Sequence, residues 1–585
     1  MNPIRMLLVS IVLALGSSWA VTPLTSVHPD WTLFNLRPAG FTPHVSGLEF
    51  LSNGNLVVGH WGGLHANVQI DQNNSIVYIM SGVTGNNPTP VVSTFATGIT
   101  DLMGLAVVND QIYVSGGNRI VQLLDANNDG VSDGTRNVIS FPYSPGVGIH
   151  QRHEFTFGLT HRAGTFYVNL SSTKLDLTPA DLIRSPNRGV CFSVNATTGV
   201  ASTIASGLRE PTGLAFGPNG DLFTNDVAGN WIPTCKLTHV QQGHFYGFHH
   251  TPDAAYPTLP IPPYESQPET PPAVFMPDED MASAPSNPLY VTTGPYAGQF
   301  LMGDVHYGGI NRYFLEKVNG QYQGAAFQFT GGLEIGMFRL AWGPDGMLYA
   351  GGLADDGDWL WAGSALKYGL QKLRYDGGTT FEIMAVRSRP TGLEIEFNKP
   401  VGASASVISN YIIQSFYVTP TIAYTNNKLG VAAPVPTAIP VSTDQKKVFL
   451  TIPGFSAGRV YWVRLPSVRA SDNEIVWTRE FYYANNAVGS GNPFDPPTPV
   501  DPGLYRAGLL NQLKWSVKGN QMTIRTPFQG PYQLRIRDIR GVLLASAAGV
   551  GSQPQTLTLP GASRRFAVIE ASGDGVNLRR SVALP

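Results

Sequence analysis

Between residues 45 and 352 one pattern of apolar and polar positions recurs six times. Each copy has a small or apolar lead-in, an alternating apolar run, a turn on Asn, Asp or Gly, and a second short strand. The copies are VSGLEFLSNGNLVVG (45–59), LMGLAVVNDQIYVSG (102–116), HEFTFGLTHRAGTFYVN (153–169), EPTGLAFGPNGDLFTND (210–226), NPLYVTTGPYAGQFLMGD (287–304) and MFRLAWGPDGMLYAGG (337–352). Alternation with a period of two predicts half-buried strands, and the turn residues between them predict tight antiparallel pairs. The spacing of about 50–57 residues, broken by one longer gap, is that of a four-stranded propeller blade. The pattern therefore predicts a six-bladed β-propeller over residues 21–377. Loops leading into the inner strands of such a ring converge on a central mouth, and chemistry is expected there.

Alternation resumes further along. TGLEIEFNKPV (391–401), KKVFLTIPGF (446–455) and GRVYWVRLP (458–466) predict an immunoglobulin- or fibronectin-like β-sandwich over 378–487. VGSGNPFDPPTPVDPG (488–503) reads as a stiff Pro/Gly linker, and 504–585 as a smaller sandwich. The fold class expected is all-β: a six-bladed β-propeller followed by two β-sandwich modules. The long gap between copies four and five holds the Pro-rich HTPDAAYPTLPIPPYESQPETPPAVFMPDEDM (250–281), either a loop over the mouth or surface elaboration.

Composition narrows the function. Charged residues make up 13% of the 585 and net charge is -2, so there is no electrostatic case for nucleic acid or an anionic membrane. Arg5, the apolar MLLVSIVLALG (6–16) and Ser18-Trp19-Ala20 form a signal peptide over residues 1–20, which predicts export to the cell surface or medium, or to a periplasm. The two cysteines, Cys191 and Cys235, are available for a disulfide after export, but the sequence does not say whether they meet. With no CxxCH there is no covalent haem, so any electrons leave to a separate acceptor.

All twelve histidines fall between His28 and His306, which assigns acid–base work to the propeller. GIHQRHEF (148–155) places His153 at the start of the third inner strand, with His150 and Arg152 beside it. An imidazole there is able to take a hydroxyl proton, or simply to bond a neighbouring blade's backbone. In DANNDGVSD (125–133), Asp125, Asn127, Asp129, Val131 and Asp133 stand at calcium-loop positions around Gly130, although Arg136 replaces the usual bidentate Glu. The alternative is an Asn/Asp/Gly turn. Asp355, Asp356 and Asp358 offer either a second oxygen-rich site or, the favoured reading, a solvated turn, and His244, His249 and His250 read as structural. Trp61, Tyr307 and Trp342 are able to stack on a sugar but are more often core in propellers.

Four segments together resemble the glucose/sorbosone dehydrogenase family: HEFTFGLTHRAGTFYVNLS (153–171), ASGLREPTGLAFGPNGDLFTND (205–226) with GHFYGF (243–248), FLMGDVHYGGINRYFL (300–315) and FRLAWGPDGMLYAG (338–351). The resemblance covers about residues 40–375. It implies a six-bladed propeller using pyrroloquinoline quinone (PQQ) and calcium to oxidise a sugar or other alcohol. It further implies that His153 is the base and that Arg209 and Arg339 complete the catalytic set. Arg209, His306 and Arg339 would form the cofactor-binding set. The chain departs from the family at Glu210 (Asn expected), His306 (Lys expected) and Met337 (Arg expected). Each departure removes positive charge or adds negative charge beside a cofactor that carries three carboxylates. Two rivals stay open: a non-catalytic glycan- or protein-binding propeller with an eroded cofactor site, and a propeller hydrolase or lyase using His153, His306 and Glu210. The C-terminal module, with DIRGVLL (538–544) and LTLPG (557–561), resembles the sorting domains of type IX-secreted bacterial proteins, which implies contact with secretion or cell-surface machinery. An adhesive or spacer sandwich is the alternative.

Overall fold

The computed structural model describes residues 24–62, 73–142, 154–172, 187–249, 263–278, 280–354, 368–422, 428–495, 513–518, 520–528, 531–538, 543–551, 554–559, 566–573 and 576–583. The proposed signal peptide lies outside them.

The six phrases are the first two strands of six blades. Inner strands run Val45–Phe50, Leu102–Val108, Thr156–Arg162, Leu214–Phe216, Leu289–Tyr290 and Met337–Trp342. In blades one to five each heads four antiparallel strands in chain order, blade three adding a short parallel fifth, His244–Phe245. The sixth takes its outermost strand from the other end of the propeller: Trp31–Asn35 pairs with Tyr368–Tyr375, so the ring closes by hydrogen bonds between distant segments. Small residues at the blade seams let neighbouring sheets approach. A Cβ on Gly104 would lie 2.5 Å from the Gly158 carbonyl carbon, and one on Gly213 would lie 2.2 Å from the Asn287 Cβ. This is the physical meaning of the Gly-Leu pair in the first four copies.

The second module is not a separate bead. Its sheet Ile412–Tyr417, Leu429–Ala432, Arg459–Arg464 and Glu480–Asn485 continues the fifth blade into one sheet of eight strands. The junction sets Gly324, Ala325 and Ala326 of the blade opposite Ala484, Tyr483 and Tyr482. Small side chains on one strand make room for large rings on the other. The Tyr483 hydroxyl accepts from Gln323 Nε2 at 2.8 Å and donates to Glu316. A second sheet (Ile383–Arg389, Gly392–Phe397, Lys447–Thr451) covers the other face of the module's core, which also takes in Ala325 and Phe327 of the blade. At the seam His28, buried completely, bonds Glu382 at 3.0 Å, and Glu382 also meets Tyr296 and Arg312. The last module is a sandwich of three- and four-stranded sheets around Met522, Ile524, Leu534, Ile536 and Ile569.

Candidate functional site

The upper end of the ring, where the inner strands begin, is built around two buried aspartates. Asp226 ends the second strand of blade four and accepts the backbone N–H groups of Arg209 (3.0 Å), Glu210 (2.7 Å) and Val227 (3.1 Å). Asp304 follows the corresponding strand of blade five and accepts N–H groups of Ser283 (2.8 Å), Ala284 (3.1 Å), His306 (3.1 Å) and Tyr307 (2.5 Å). Each thus fastens the loop entering its own blade. Burial pushes both carboxyls up to about 6, against the opposing pull of these donors. Blade one uses His60 in the same way, its Nδ1 accepting from the His44 N–H at 2.9 Å; burial lowers the imidazole to about 4. The sequence pattern did not reveal these anchors, although copies four and five both end on Asp.

On this frame the cations are already matched. Arg209 donates from Nη1 to Glu210 Oε2 at 3.0 Å, with both side chains about nine-tenths buried. Its guanidinium packs against Gly229, where a Cβ would come within 2.1 Å of Nε. Lys236 meets Glu269 at 3.1 Å, Arg188 lies 3.8 Å from Glu154, and Lys428 of the second module meets Asp280. His306 is half-buried, its Nδ1 3.0 Å from Ser283 Oγ.

Arg339 lies deeper, on the channel axis. It donates to the carbonyls of Ser46 (2.8 Å), Phe338 (3.0 Å) and Met103 (2.5 Å), joining blade six to blades one and two. With no carboxylate among these partners, burial lowers it to about 9. Beside it Trp61, Met103, Phe155, Phe157, Val305, Phe338 and Leu353 form one apolar cluster drawn from five blades. On its other side Arg339 faces a cavity of about 960 Å³ in the lower channel, which Pro527 and Val550 of the last module also line. Glu49 points into this cavity, its own surface open to the cavity space, and enclosure by the surrounding walls raises it to about 7. The positions after Gly-Leu or Arg-Leu in other copies are Ala106, Thr160, Ala215 and Ala341, so the lone acid at 49 is the mark that this position leaves in the sequence.

Arg209 and His306 therefore share the upper end, while Arg339 holds the middle of the channel. His153, with His150 and Arg152, lies outside the described residues, as do His250, Asp355, Asp356 and Asp358. Asp125, Asn127, Asp129, Val131 and Asp133 lie in the exposed turn joining the third and fourth strands of blade two, at the lower end. Asp125 accepts from the Asp129 and Gly130 N–H groups, both at 3.1 Å, and Asp133 from Ala126 at 2.7 Å. Asn128 (φ 59°) and Gly130 (φ 84°) give the turn its curl. Cys191 and Cys235 are buried and unbonded to each other, in blades three and four. His244 bonds Thr270 at 2.8 Å and His249 bonds Glu265 at 3.1 Å, so each has a local partner. Of the aromatics, Trp61 is core, Tyr307 donates to the Asp280 carbonyl at 3.0 Å, and Trp342 donates to the Tyr290 carbonyl at 3.1 Å.

These features define an all-β propeller with an entry end of matched charges. No family model matches the chain, and no curated protein does. Among solved structures it is similar to a glucose-dehydrogenase-type oxidoreductase of Thermus thermophilus (16% identity, 59% of this chain and 100% of that one, TM-score 0.41). It is also similar to the PQQ domain of pyranose dehydrogenase from Coprinopsis cinerea (11%, 61% and 98%, 0.42). A third is the PQQ-bound aldose sugar dehydrogenase of Streptomyces coelicolor (16%, 60% and 100%, 0.38). Likeness of this size carries no inference about activity.

Proposed function

We propose that this is an exported, dehydrogenase-like propeller whose upper mouth takes a neutral, hydroxyl-rich ligand, a sugar or related alcohol. The observation that carries the reading is the Arg209–Glu210 pair, 3.0 Å apart and about nine-tenths buried. A carboxylate ligand would have to displace Glu210 from Arg209, leaving that acid buried without its cation. A neutral polyol asks only for hydrogen bonds, and the existing pairs supply donors and acceptors side by side.

The quinone fares less well. Of the cations expected to hold its three carboxylates, Arg209 is engaged by Glu210, and Arg339 by three backbone carbonyls. These residues do not fit a trianion, and the reading routes no redox step through one. The blade-two loop favours the Asn/Asp/Gly turn over a calcium site: the Asp125, Asp129 and Asp133 carboxylates accept the loop's own N–H groups, and their oxygens do not converge on one point.

The test is calorimetry of the purified chain with glucose and a panel of neutral sugars, beside titration with PQQ plus calcium and an aldose-dependent dye assay. Sugar binding without a bound-quinone spectrum is expected. A quinone spectrum together with dye reduction would overturn the neutral-mouth reading and favour the oxidoreductase that the resemblance implies. The first sandwich continues blade five, and the last is assigned to surface delivery; mass spectrometry of secreted protein from the native host would test export and processing.

A further inference from the structure

The second module does more than extend blade five. The segment after its strand Ile412–Tyr417 reaches the upper end of the propeller and touches it on two sides. On blade four, the Thr421 carbonyl accepts the Trp231 N–H at 2.7 Å, and the Ile422 carbonyl accepts from Asn230 Nδ2 at 2.9 Å. On the blade-five side, Lys428 pairs with the Asp280 carboxylate. That carboxylate also accepts the Tyr482 hydroxyl at 2.9 Å, and the Asp280 carbonyl accepts the Tyr307 hydroxyl at 3.0 Å.

The blade-four contact holds an unfavourable backbone. Trp231 has φ 64°, a conformation that bulky side chains avoid and that persists only where surrounding contacts enforce it. The same turn contains Gly229, whose bare Cα is the seat of the Arg209 guanidinium. A shift of a few tenths of an ångström in this turn would therefore move Arg209 relative to Glu210. Tyr307, beside His306, depends similarly on where Asp280 sits.

We propose that the segment 418–422 and Lys428 of the second module position the propeller's mouth and thereby set which ligands it accepts. They act through the turn at 229–231 on Arg209, and through Asp280 on Tyr307. Thr421 and Lys428 are positioning residues. The choice of sugars as probes rests on the function proposed above; the positioning itself does not.

The experiment uses the full chain carrying Asn230→Ala with Lys428→Met, and each substitution alone should the pair fail to fold. Hydrogen exchange at the Trp231 amide reports the positioning directly. Calorimetry with glucose and other neutral sugars reports selectivity, and a thermal melt reports folding. Exchange at Trp231 is expected to quicken at least tenfold in a variant that still melts cooperatively, with the order of sugar affinities changed and Lys428→Arg restoring it. Unchanged exchange at Trp231 overturns the proposal whether or not sugars bind. Faster exchange with an unaltered order of affinities overturns its selectivity half. Absence of sugar binding by the parent chain sinks the function proposed above, and leaves the positioning decided by the exchange data alone.

Discussion

Arg209 and Arg339 are both buried guanidinium groups facing the propeller's interior, yet they are satisfied by opposite means. At the upper end Arg209 meets a full negative charge on its neighbour in sequence, Glu210. In the channel Arg339 donates to carbonyl dipoles drawn from blades six, one and two, and its guanidinium lies over the Phe338 ring. The first arrangement is a closed ion pair, which an anionic ligand opens only by leaving Glu210 buried without its cation. The second is a staple, because its three acceptors belong to the backbones of three different blades. A residue that resemblance assigns to a cofactor can thus be spent on holding the ring shut.

The strongest way to break this contrast is Arg339→Met. Three buried carbonyls would lose their donor, and a loss of about 3–5 kcal/mol is expected in chemical denaturation. A loss under about 1 kcal/mol, the range of an exposed pair, would mean that the staple contributes little.

Next comes Asp226→Asn, which leaves one acceptor oxygen for three N–H donors and is expected to cost about 1–3 kcal/mol. It also has a pH signature. The folded-state carboxyl is raised to about 6 from an ordinary 3.8, so its contribution is fully present below pH 3.8 and is lost as pH rises through 6. Parent stability should therefore fall over that window by an amount that Asp226→Asn lacks. Equal slopes in the two proteins would show that burial does not govern this group.

Glu210→Gln sharpens the other half of the comparison. Releasing Arg209 from its carboxylate should raise affinity for carboxylate ligands about tenfold, equivalent to about 1.4 kcal/mol, with PQQ as the probe. No gain would place the obstacle elsewhere in the mouth.

The smallest effect is expected at Glu49. Its carboxyl is raised to about 7 from 4.5, so stability linked to it is present below pH 4.5 and is lost as pH rises through 7. Because the cavity is large enough to hold water around the group, Glu49→Gln should raise Tm at pH 8 relative to pH 4 by only a few degrees.

Much of the architecture was legible beforehand because its causes are local. A period of two, Asn/Asp/Gly turns and a regular spacing identify strand pairs from neighbouring residues alone, and six such pairs leave few ways to bury their faces. The site was less legible. Arg209 and Glu210 are adjacent in the chain, but their pairing depends on Gly229, twenty residues on, offering a bare surface. Lys428 carried no signal at all, since nothing in its own segment points to Asp280, 148 residues away.

By itself, then, the sequence determined that this chain is all-β, that a six-bladed ring occupies its first two-thirds, and that sandwich modules follow. Only the tertiary structure decided that the second module shares a sheet with blade five, that Arg339 binds carbonyls and that the upper cations are matched. The physical reason is range. Strand and turn preferences are written in each residue's immediate neighbours, whereas the partner of a buried charge is whichever group the closed ring brings to it.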